Sequence, residues 1–338
     1  MDQVFLKISP LGFVWETQDP FLYCVHHRDD YPEGNEVLGP KETLEGRLLG
    51  EDFDERNAWK MYHGKTVPGF PEHPHRGFET VTVVLEGYID HFDSAGASGR
   101  YGDGDVQWMT AGSGLQHAEM FPLIKANERN PLHLFQIWLN LPKKNKFVAP
   151  HYKMLWNEEI PKIKKKDEFG KISEIILIAG EFEGEMSAAP APDSWASEPE
   201  HKLSIWVVKM EAHAKLTIEN TSATLNRSLY LYKGSELMVN ASVLKVNHSG
   251  QLKPLERIDI QNGSEASEWL LLQGEPINEP VVQYGPFVMN TEQEIHEAYS
   301  DYHKTRFGGW PWERPDPVHS RETPRFAKYA NGVKHFPK

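Results

Sequence analysis

Apolar residues in this chain gather into short runs, among them Thr80 to Leu85, Leu132 to Trp138, Leu203 to Met210, Ser228 to Tyr232 and Glu268 to Leu272, punctuated by Gly, Asp and Pro. Turn signals stand between them at Glu86-Gly87, Gly102-Asp103-Gly104-Asp105, Lys233-Gly234 and Asn262-Gly263. Runs of this length between turn residues predict an all-β sandwich or barrel of short strands. One stretch has a helical period instead. Thr291-x-x-Glu294 is a capping box, and Ile295, Ala298, Tyr299 and Tyr302 follow on one face, which predicts a packed helix on which His296 and His303 are not ligands. Beyond it, Phe307 to Lys338 is aromatic and Pro-rich without periodicity, and reads as an extended tail packed across the body.

A chain of 338 residues suffices for two domains of roughly 150 residues, each with its own core. Lys and Arg number 36 against 49 Asp and Glu, a net charge of −13, which repels nucleic-acid phosphates and anionic membranes. Direct DNA binding is therefore not expected. Cys24 is the single cysteine, so intrachain disulfides and Cys-based zinc sites are excluded, and Cys24 reads as a small buried hydrophobe. Met1 to Thr17 lacks the long apolar core of a secretory leader, and no apolar run reaches the length of a membrane span. A cytoplasmic setting is the expectation. The Lys-rich stretch Pro161 to Phe169 reads as a solvated inter-domain connection, and Ser187 to Glu200, rich in Ala, Pro, Ser and Glu, as an exposed loop.

The two halves resemble a degenerate repeat. Placing Lys233-Gly234 over Glu86-Gly87 sets Asn220 opposite His73 and Ser222 opposite His75, so the second half is expected to be metal-free.

The chemistry concentrates between Phe70 and Pro122. Residues two apart on a strand share a face, roughly 6.5 Å apart, so His73-x-His75 and His117-x-Glu119 on adjacent strands can converge on one ion. Three imidazoles and a carboxylate suit a first-row divalent metal: Fe(II), Mn, Co, Ni, Cu or Zn. A second carboxylate, Glu79, stands where the general cupin pattern His-x-His-x-x-x-Glu puts a ligand. Four residues on a regular strand span about 13 Å, whereas Glu119 reaches the shared ion without a bend. Glu119 is preferred, with Glu79 as its hydrogen-bonding or salt-bridging neighbour. Arg76 reads either as charge support near the site or as a bridge to Glu79 or Asp105. Gln107 is expected to shape the pocket and Trp108 to fill the core; His91 with Asp93 reads as a strand-end pair, and His63 as a surface residue or one that supports the ligands from behind.

His73-Pro74-His75-Arg76-Gly77-Phe78-Glu79-Thr80, then Gly104 to Gly112 and His117-Ala118-Glu119-Met120, closely resemble the signature of pirins, which are bicupins. Gly274-Glu275-Pro276 and Gly285 to Thr291 resemble the end of the pirin second domain. The resemblance implies two antiparallel jelly-roll barrels facing each other, an N-terminal metal-binding domain over 1–145, a metal-free cupin domain over 146–290, and a helix and tail over 291–338. It implies one Fe(II)-type site at the residues matching His73, His75, His117 and Glu119. It also implies two activities known in the family: quercetin 2,3-dioxygenase, and regulation of transcription factors through protein partners, as in the nuclear mammalian protein. The tail with Phe307-Gly308-Gly309-Trp310-Pro311-Trp312, and Met61-Tyr62-His63-Gly64, look more like bacterial members and point away from the nuclear role.

The expected function is a metal-dependent dioxygenase that cleaves a flavonol-type substrate with O2. A hydroxyl bound to a Lewis-acidic ion loses its proton more readily, and Glu119 is placed to accept it. The alternative is a metal- or redox-sensing protein acting through a partner.

Overall fold

The computed structural model describes residues 4–219, 222–254 and 257–338. Nearly all regular structure is strand, and the α-helix found among these residues is Glu292–Thr305. That helix is not long and apolar enough to cross a membrane. Thr291 caps it by accepting from the Glu294 amide at 3.2 Å, while Glu294 reaches back to the amide of Asn290 rather than to that of Thr291.

Two compact units form, and the chain passes between them several times. One comprises His26–Ile137, Leu141–Glu158 and Glu279–Lys338; the other comprises Met1–Val25, Trp138–Asn140 and Glu159–Asn278. Boundaries at 145 and 290, expected from the sequence, do not describe this division. Strand Phe5–Pro10 pairs antiparallel with His248–Leu252, which draws the chain's beginning into the second unit. Strand Phe326–Lys328 pairs with Ser98–Gly102, which draws its end into the first.

The histidine-bearing unit holds two sheets rather than one closed cylinder. One runs His151–Leu155, Val106–Thr110, Phe78–Glu86, Asn130–Asn140 and Phe21–Tyr31. The other runs Lys334–His335, Phe326–Lys328, Ser98–Gly102, Tyr88–Asp93, Leu115–Met120 and Gly69–His75. The turn signals of the sequence fall between these strands, and Gly87 and Gly104 take the positive φ that their turns require. Both faces of Phe78–Glu86 are buried through Val84, which is why its Thr-Val alternation reads as a near-continuous run.

In the other unit a seven-stranded sheet packs on a four-stranded one around an apolar core that includes Trp206, Val208, Leu216, Ile218, Trp269 and Leu271. The lysine run is not a connection. Lys162–Lys166 is the edge strand of the seven-stranded sheet, paired with Ile172–Ala179, and Ile163 packs on the core while lysines guard the edge. Within Ser187 to Glu200 the backbone makes two short 3-10 turns, and Ala191 and Ser194 are buried rather than exposed.

The tail is more than an overlay. Arg100, fully buried, is held in a fork by Asp90 at 2.7 and 2.8 Å, and it donates onward to the carbonyls of His319, Ser320 and Thr323. Asp90 accepts in turn from the His319 amide at 2.8 Å. Removing one partner leaves a buried charge unpaired, so Asp90→Ala is expected to destabilise the protein by about 3–5 kcal/mol. Denaturant unfolding measures the loss, and limited proteolysis should show new cleavage between His319 and Arg325.

Candidate metal centre

The site rests on the pairing of Gly69–His75 with Leu115–Met120, in which His73 lies opposite His117 and Phe70 opposite Glu119. Pro71 and Glu72 on one strand thus lie against Ala118 alone on the other, a bulge between Phe70 and His73. Gly69–His75 is an edge strand, where Pro71 and Pro74 cost no ladder hydrogen bonds, and the extra residue turns Phe70 and His73 to the same face. On the far side of Leu115–Met120, Asp93 lies opposite His117 and His91 opposite Glu119. Two rows of side chains therefore cross three strands: His73, His117 and Asp93 in one, Phe70, Glu119 and His91 in the next.

Ring nitrogens of His73, His75 and His117 lie within 4.8 Å of one another. His73 donates Nδ1–H to the Pro71 carbonyl at 2.8 Å and His75 donates Nδ1–H to the Pro286 carbonyl at 3.4 Å, so in each neutral ring Nε2 is the nitrogen that carries the lone pair. Both nitrogens of His117 are buried without a partner among the described residues, an arrangement that calls for a ligand. Burial holds all three rings below the usual imidazole range, His73 down to about 4. They are neutral donors at neutral pH, and the set fits a first-row divalent ion.

Glu119 lies beside them, with Oε2 3.7 Å from His117 Nε2. Burial pushes its carboxyl up to about 7. Thr82 Oγ1 lies 3.1 Å from Glu119 Oε1 and 2.6 Å from Gln136 Oε1, and Gln136 Nε2 donates to Glu119 Oε2 at 3.1 Å. One hydroxyl proton cannot serve both oxygens. With Glu119 protonated, its O–H donates to Thr82, Thr82 donates to Gln136, Gln136 donates back, and the ring is closed; with Glu119 ionised, Thr82 must turn to the carboxylate. Neither Thr82 nor Gln136 carries a sequence signal, because only their cross-sheet placement gives them this role.

Glu79 leaves the opposite face of the strand from Thr82 and accepts from Thr110 Oγ1 at 2.6 Å. Arg76 bridges neither Glu79 nor Asp105. It donates to Asp301 on the helix at 2.9 Å and to the Ser113 carbonyl at 2.7 Å, beneath the ring of Phe307, while Asp105 pairs with Arg325. Gln107 accepts from the Tyr101 hydroxyl at 3.3 Å in the interior, and Trp108 is fully buried. His63 is exposed and held at Nδ1 by the Gly50 carbonyl.

His91 is more than a strand-end residue. It is fully buried, Nε2 lies 3.2 Å from Asp93 Oδ2, and its ring stacks on Tyr152 and stands 5.7 Å from that of His117. Its His-x-Asp spacing matches the other two pairs; the missing information was which strand lies beside it. In the other unit, Asn220 lies outside the described residues, and Ser222, placed opposite His75 by the repeat, shares a hydrogen bond with Thr224.

Residues 41–139 match the family model Pirin, and residues 205–308 match that of the pirin C-terminal cupin domain. A pirin-like protein of Solanum lycopersicum is 38% identical over 69% of this chain and 75% of its own length. Pirin of Mus musculus is 36% identical over 78% of this chain and 86% of its own. A crystal structure of quercetin 2,3-dioxygenase from Acinetobacter baumannii, 28% identical, superposes with a TM-score of 0.71 over 90% of this chain and 98% of its own. With its strands arranged as two cupin domains and its signature histidines gathered on one sheet face, this chain belongs to the pirin family.

Proposed function

We propose that His73, His75, His117 and Glu119 hold one divalent metal ion, Fe(II) foremost, and that the chain is a metal-dependent dioxygenase acting on a flavonol-type substrate. The observation that carries this reading is the convergence of three neutral imidazoles, His75 and His117 buried and His73 half-buried, beside a carboxyl group that burial raises toward neutral pH. The likeness to the Acinetobacter baumannii dioxygenase supports the reaction class.

When bound, the ion supplies a Lewis-acidic centre that lowers the pKa of a substrate hydroxyl. His73 and His75 offer Nε2 because their Nδ1 atoms are committed to carbonyls. Glu119 is the carboxylate that accepts the hydroxyl proton. As the carboxyl changes charge, the Thr82 hydroxyl turns between Glu119 and Gln136, while Gln136 keeps hold of Oε2. Arg76, tied to Asp301, supports the loop after His75.

Elemental analysis of the purified protein should give close to one metal per chain, and His75→Ala should abolish it; two ions per chain would contradict a metal-free second unit. Metal-loaded protein should consume O2 with quercetin and release carbon monoxide. Glu119→Gln should slow that turnover by about 10²–10⁴-fold with a smaller loss of metal. Metal-loaded protein inert toward several flavonols would favour the sensor role instead.

The raised carboxyl of Glu119 also makes a pH statement. Its folded-state pKa, about 7, lies above the ordinary value of 4.5, so metal-free protein gains stability from this group below pH 4.5 and loses it as pH rises toward 7. Metal-free Glu119→Gln should therefore be more stable than metal-free wild type at pH 8, by about 3 kcal/mol, and the gap should close by pH 4. Calorimetric metal titration at pH 6 in buffers of different ionisation enthalpy should find one proton released by wild type and none by the variant.

A further inference from the structure

The outer hydrogen bond of His75 comes from far along the chain, and one buried lysine accounts for how it is held. Pro286, whose carbonyl faces His75 Nδ1, is 211 residues away in sequence. At 3.4 Å this contact is long for an N–H···O bond. It cannot hold the two segments together by itself.

Three other contacts do so. The Val288 amide donates to the Arg76 carbonyl at 3.0 Å, and Arg76 and Phe287 form an isolated parallel bridge. Gly77 packs so closely that a Cβ there would fall 2.0 Å from the Val288 carbonyl oxygen. The third contact is Lys146. Its side chain is buried, and Nζ donates to the Gly77 carbonyl at 2.8 Å and to the Val288 carbonyl at 3.1 Å. An ammonium group placed between two carbonyl oxygens that would otherwise repel each other draws both strands of backbone onto one point. Those two carbonyls flank the segment in question: Gly77 lies two residues after His75, and Val288 two residues after Pro286.

We propose that Lys146 is a positioning residue for the metal centre, clamping the Gly77 and Val288 carbonyls so that Pro286 holds His75 with Nε2 toward the ion. The inference rests on the metal-binding part of the proposed function and not on the dioxygenase reaction. It gives the segment Gly285 to Met289 a task the sequence does not announce, that of orienting a histidine in another part of the chain. Partners of this outer kind are worth about 10–100-fold in metal affinity.

The test uses full-length protein loaded with Co(II), whose visible spectrum reports ligand geometry and whose release to a chelator can be timed. Lys146→Met is expected to release Co(II) at least about tenfold faster and to alter the spectrum, and Lys146→Arg, which keeps donors and charge, to restore both at least in part. A folded Lys146→Met protein with wild-type release and spectrum overturns the proposal. A second measurement needs no variant: in zinc-loaded wild type, nitrogen NMR should show His75 bound through Nε2 with an exchange-protected Nδ1–H. Coordination through Nδ1, or a freely exchanging N–H, overturns it equally. Failure of the dioxygenase reading alone would appear as an intact Co(II) site that consumes no oxygen with quercetin, and leaves the role of Lys146 standing.

Discussion

The register between Gly69–His75 and Leu115–Met120 is the constraint on which the site depends. A slip of one residue along either strand would send His117 and Glu119 to the other face. The bulge at Pro71 and Glu72 sets that register, and the burial that follows turns three potential cations into neutral donors. Position and electrostatics therefore have one origin. The same dry environment that lowers the histidines raises Glu119, because burial disfavours whichever form is charged.

Cross-strand pairing also explains why the two units differ although both are built from paired antiparallel sheets. In the histidine-bearing unit, Thr82 pairs with Gln107 and Thr80 with Met109 on one sheet, and Thr82 reaches Glu119 on the other, so the space between the sheets is lined by hydrogen-bonding groups. In the other unit the corresponding space is filled by Trp206, Leu216, Ile218, Trp269 and their neighbours. Tight apolar packing stabilises a unit but leaves nothing for chemistry to act on. A polar interior does the reverse.

Much of this was legible from local spacing. The His-x-His and His-x-Glu pairs, the capping box at Thr291 and the turn glycines each declare themselves within a few residues. What could not be read depends on contacts remote in sequence. Arg76 looked like a partner for a nearby carboxylate, yet its ion pair is with Asp301, 225 residues on. His91 carried the same two-residue spacing as the ligands, but its place beside Glu119 follows from a register the sequence does not state. Lys162–Lys166 looked like solvated connection because four of its five residues are charged, and the one residue that binds it to a core is Ile163.

The interleaving of the chain has a consequence for biosynthesis. The apolar unit draws on residues up to Asn278, whereas the histidine-bearing unit also requires Glu279–Lys338. Domains tend to fold as units while the chain emerges from the ribosome, the N-terminal parts first. Here the unit that begins with His26 lacks the carbonyl that faces His75 and the strand that pairs with Ser98–Gly102 until residues beyond Asn278 have been made. The three histidines are synthesised well before the segment that finishes their cradle, so a metal ion captured earlier would meet an unformed site, and loading belongs to a chain that already includes Glu279–Lys338.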